Sequence, residues 1–124
     1  MLAAALEVIP LPSLQWNGQN VHAHTQGLRI VDGNHYVTAR LEGNEQTRAW
    51  MVRTRLSSCQ WDIWDITPPR LDGARSRLDH PGGLQSDGQR LWIPVAESKR
   101  HRRTLIRVFS MVQLAPRAAR RGGT

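Results

Sequence analysis

The chain has little with which to fix itself covalently or to cross a membrane. Cys59 is its single cysteine, so no disulfide can form within it. No stretch approaches the roughly 20 apolar residues that a membrane-spanning helix needs. Tyrosine and phenylalanine occur once each, and Lys99 is the only lysine. Acids are missing altogether from the last part of the chain. Residues 1–98 carry nine arginines and ten carboxylates, whereas residues 99–124 carry eight basic residues and none. The net charge of +7 is therefore a property of one end, not of a stripe across a fold. No aromatic residue follows Val112 to stack on a base, so a solvated loop and a basic disordered tail are expected, and nucleic-acid binding is the weakest functional reading.

Length and apolar content are enough for a domain with a real core, and five tryptophans bring large surfaces to bury. The opening Met1–Leu6 is briefly apolar but lacks a basic start and meets Glu7, a poor secretory signal. The compartment stays open: cytoplasmic, or exported if a signal lies upstream.

The chain contains one motif twice. His24-Thr25-Gln26-Gly27-Leu28 and His80-Pro81-Gly82-Gly83-Leu84 both read H-x-x-G-L and stand 56 residues apart. Each is followed by an Asp-Gly pair and then by an aromatic-aliphatic run, Tyr36-Val37 and Trp92-Ile93. Repeats of this length imply a module that buries its faces against its own copies. Period-two alternation predicts four strands in the first copy, over 27–31, 35–41, 48–56 and 60–67, with Asp32-Gly33 as a hairpin turn. In the second copy it predicts strands over 83–86, 91–96 and 104–112. The third strands also match at 56 residues, Ala49-Trp50-Met51-Val52 against Leu105-Ile106-Arg107-Val108. A fourth strand is missing, since residues 115–124 show no alternation. The organisation is thus read as an N-terminal extended segment (1–20), a first blade-like repeat (21–69), a connector (70–79), a second, incomplete repeat (80–112) and a basic disordered tail (113–124).

The expected fold is all-β, built of antiparallel four-stranded propeller-like blades, about two, the second incomplete. H-P-x-G-L, the Asp-Gly turn, L-W-I-P-V and T-L-I-R-V-F resemble blades of the NHL-repeat, strictosidine-synthase, gluconolactonase and paraoxonase-like propellers, over residues 21–112. Trp61-Asp62 and Trp64-Asp65 invite a WD-repeat reading, but neither the period nor the preceding Gly-His pair fits. The resemblance implies an N-terminal fragment of a larger propeller, truncated or frame-shifted, with the stretch around Val8 as a strand that joins the last blade. It also implies uncovered blade faces through which copies can self-associate.

Chemistry is sparse. His24 and His80 hold equivalent positions at the start of an innermost strand, and His22 is two residues from His24. Imidazoles lining a channel can bind metal, yet hydrogen bonding to a neighbouring blade explains them more simply. Glu97 ends a strand where lactonase-like propellers hold calcium through oxygen ligands. His24, His80 and Glu97 are therefore the metal-ligand candidates, with calcium or zinc only under a lactonase- or hydrolase-like alternative. No cofactor is otherwise evident, and Ser57-Ser58-Cys59 has no placed base. The first reading is a binding scaffold, for a protein or a small molecule, without activity of its own.

Overall fold

The computed structural model describes residues 8–16, 18–42, 47–55, 60–68, 78–97 and 103–114. Sequence expectations for 1–7, Ser57–Cys59, 98–102 and 115–124 lie outside these. Among the described residues ten strands form a short hairpin and two antiparallel sheets.

Sheet one is a meander of β3 (His22–Val31), β4 (Asn34–Glu42), β5 (Thr47–Arg55) and β6 (Trp61–Asp65). Its first turn is Asp32-Gly33, with φ of 50° and 79°. Positive φ at both central residues is the mirror-image turn whose twist suits a two-residue hairpin. Sheet two contains β7 (Leu78–Pro81), β8 (Gln85–Ser86), β9 (Arg90–Glu97) and β10 (Thr104–Ser110). Both β7 and β8 pair with β9, so together they occupy one strand position and the sheet is three positions wide. Among the described residues, sheet two therefore has four strands in three positions. Several details differ from expectation: β3 begins at His22 where a strand is expected from 27, and the strand expected over 83–86 is Gln85–Ser86. Leu78 and Asp79, read as connector, are already strand. Around Gly18, β1 (Gln15–Trp16) pairs with β2 (Gln19–Asn20) where only a turn is expected.

The repeat holds in register as well as in sequence. His24 faces Arg40 as His80 faces Ala96, and Arg29 faces Tyr36 as Gln85 faces Trp92. The third strand departs from it. Thr38 pairs with Met51, but Pro94 pairs with Ile106, so the second hairpin closes one residue earlier. The structural counterpart of Met51 is therefore Ile106, not Arg107. Side chains alternate along a strand, so this single-residue slip reverses which of them face sheet one.

The sheets stack face to face. Tyr36, Ala49, Met51, Trp64 and Ile66 of the first pack against Leu78, Leu84, Leu91, Ile93 and Val95 of the second. The leucine, isoleucine, valine and methionine side chains among them each stabilise by about 1.5–3 kcal/mol when fully buried. Polar contacts cross the same interface. The Thr38 hydroxyl donates to the Gly82 carbonyl oxygen at 2.8 Å, and Arg107 donates to the Ile66 carbonyl oxygen at 3.2 Å. The opposite face of sheet one carries a smaller core, where Leu14 covers Val37, Leu41, Trp50 and Val52. Residues 8–14 have no regular structure, and Val21 N–H donates to the Leu14 carbonyl oxygen at 3.1 Å. This segment caps one end of the stack.

Candidate functional site

His24 lies in β3 on the face turned toward sheet two, the face it shares with His22, Arg40 and Glu42. Its Nε2 stands 3.4 Å from the Glu42 carboxylate, which also accepts from Arg40. Arg40 in turn reaches the buried Asp79 of β7 at 3.5 Å. His24 thus adjoins the Glu42–Arg40–Asp79 contacts that join the two sheets. His80 pairs with Ala96, on the face of sheet two turned away from sheet one. The two histidines are equivalent, and for that reason each looks toward the sheet that would follow its own. They do not converge.

Glu97 has a fully buried side chain, and Arg103 donates to its carboxylate. The backbone N–H of Glu97 also donates to the Arg103 carbonyl oxygen, at 3.1 Å. A buried carboxylate held by an arginine closes a hairpin and is a structural pair first. Among the described residues no group of three or more His, Cys, Asp or Glu is placed to hold a metal ion. His24, His80 and Glu97 are therefore not brought together.

Two concavities are more open to a ligand. The first, about 500 Å3, lies between the sheets at their turn end. Val31, Tyr36 and Met111 give it an apolar floor, and Asp32, Asn34, Gln60, Arg55 and the Arg53–Asp62 pair give it hydrogen-bonding walls. Arg53 and Asp62 face each other across β5 and β6. The Arg53 Nη2 donates to the Asp62 carboxylate at 2.7 Å, while the guanidinium lies 4.9 Å from the Trp64 ring centre. The pair is thereby held rigid, with a cation and an anion at fixed places on the wall. The Thr54 hydroxyl is occupied, donating to the Gln60 carbonyl oxygen at 2.6 Å. The second concavity, about 520 Å3, lies between the cap and β3 and is lined by Ile9, Leu11, Leu28, Val37, Trp61 and the buried His35.

The cleft was not singled out from the sequence. Its signal is present there, since Arg53 and Asp62 are the facing positions of two strands, but it appears only once the β5–β6 register is known.

Asp87, in the second Asp-Gly turn, accepts from the backbone N–H groups of Gln89 and Arg90 at 2.9 and 2.8 Å. These bonds hold its carboxyl below the usual carboxylate range. This is turn chemistry, not a catalytic acid.

No family model, no curated protein and no solved structure matches the chain. The class defined here is therefore an architectural one: an all-β chain of two stacked antiparallel sheets built on one repeated unit. Among the described residues no helix is long and apolar enough to cross a membrane.

Proposed function

We propose that the chain is a binding scaffold of β-propeller blade type that holds a small, uncharged, polyhydroxylated molecule in the cleft between its sheets. The cleft carries the reading. Its size of about 500 Å3 falls among ligand sites, and it sets donors and acceptors around an apolar floor. A ligand with hydroxyl groups on an otherwise apolar ring satisfies both. Fixed charges of both signs, on Arg53 and Asp62, donate to and accept from hydroxyls without favouring a net charge. The blade assignment is supported by the repeated register and by the inter-sheet contacts of Thr38 and Leu84.

The test is a titration with neutral monosaccharides followed by two-dimensional NMR. Saturable shifts confined to Tyr36, Arg53 and Asp62, weakened about tenfold by Arg53→Met, are expected. No saturable shift at these residues with any sugar would remove the reading.

A further inference from the structure

Sheet two presents to solvent the face that sheet one buries. Tyr36 and Met51, 2% and 0% exposed, are covered by sheet two. Their counterparts are Trp92, half-buried, and Ile106, 65% exposed. Val108 stands beside them, opposite Trp92. The other end of the stack offers the complement. Leu84 is one of the residues that the second repeat inserts into the inter-sheet core. Its counterpart Leu28 is 58% exposed, with Ile30 next to it on the same face. The cap adds further apolar surface there, since Ile9 and Leu11 line the groove against Leu28. The cap covers Val37 and Trp50 but leaves these β3 side chains bare. The glycines repeat the relationship. A Cβ on Gly27 would stand 2.7 Å from the Gly83 Cα, whereas a Cβ on Gly83 would meet nothing within 4 Å.

The two ends thus carry exposed counterparts of side chains that meet in the chain's own inter-sheet contact, while Val37 and Ala39, the counterparts of Ile93 and Val95, are already buried. None of Leu28, Ile30, Trp92, Ile106 and Val108 carries charge, and the flanking Arg90 and Arg48 are each paired with a carboxylate, Asp87 and Asp65. We propose that copies of this chain associate head to tail, with the outer face of sheet two of one copy covering the Leu28 end of the next. The contact repeats the internal one through the counterparts of its residues, Leu28 for Leu84, Trp92 for Tyr36 and Ile106 for Met51. Such a heterologous contact closes into a ring or extends as a chain, according to the rotation per copy. This does not depend on the proposed ligand cleft, whose residues lie elsewhere.

The test is sedimentation equilibrium of the full chain, with one variant blocked at each end. Ile106→Asp with Val108→Asp blocks one, and Leu28→Asp with Ile30→Asp blocks the other. All four side chains are at least 45% exposed, so the fold is expected to survive, with unchanged near-ultraviolet circular dichroism. The wild type should show a mass above one chain, rising with concentration. Each variant alone should have the mass of one chain, and their equal mixture should give pairs and nothing larger. Gly83→Ala should fold as the wild type and associate at least about tenfold more weakly. A wild type that keeps the mass of one chain at on the order of 100 µM overturns the proposal. So does a variant blocked at one end that still pairs with itself, or a mixture that forms no pairs.

Discussion

Gly27 and Gly83, the repeated glycines of the two H-x-x-G-L copies, lie against each other across the sheet interface. A Cβ on Gly27 would stand 2.7 Å from the Gly83 Cα and 3.2 Å from the Gly82 carbonyl oxygen. Backbone cannot move aside as a flexible side-chain end can. At Gly27 the motif therefore supplies the bare backbone on which sheet two lands.

The relationship is not symmetric, and the asymmetry is testable. Gly27→Ala should destabilise the chain by about 1–3 kcal/mol, the usual cost of overpacking. Gly83→Ala in dilute solution should stay within about 0.5 kcal/mol of the wild type, because its Cβ enters open space. Urea unfolding of the two variants measures the difference.

The slip in the third strand makes a second prediction. Leu105 packs against the inter-sheet core and Ile106 points outward. Leu105→Asp should cost more than about 2 kcal/mol, through an unpaired charge placed at the core. Ile106→Asp in dilute solution should cost less than about 0.5 kcal/mol. Thermal and urea unfolding compare them. The reverse order is what the 56-residue alignment of the third strands would require.

Arg40 carries the bridge from sheet one to Asp79. Asp79 is 2% exposed, so Arg40→Met removes one partner of a buried carboxylate and should cost about 1–3 kcal/mol. A double-mutant cycle in urea reads the coupling between Arg40 and Asp79.

Asp87 gives a pH dependence with a definite sign. Its folded carboxyl lies below the ordinary value of 3.8, because Gln89 and Arg90 N–H groups bind the charged form. The stabilisation is therefore present above that ordinary value and is lost as pH falls through the lower, folded one. Asp87→Ala should be less stable than the wild type near neutrality, and the difference should close in strong acid. Urea midpoints across acidic pH follow it.

Much of the fold was legible in the sequence. Leu91, Ile93 and Val95 alternate against Trp92 and Pro94, and the strand they predict is the one observed, with the first set buried. Asp32-Gly33 announced its turn because few other pairs accept positive φ twice. The third-strand register was not legible. Leu105-Ile106-Arg107-Val108 is apolar on both sides of Arg107, so its composition does not say which side chains face inward. Only the length of the closing hairpin decides that. The equivalence of His24 and His80 was legible too, and it is what keeps them apart. The bridge from Arg40 to Asp79 joins distant parts of the chain, and no local pattern reports it.

The two H-x-x-G-L copies stack their sheets through Gly27 and Gly83. A nuclear Overhauser experiment on the α-protons of these two residues tests it most directly. A strong cross-peak between them, beside the cross-strand peaks of Leu28 with Val37, is the predicted result. Intact cross-strand peaks with no contact between Gly27 and Gly83 would contradict it.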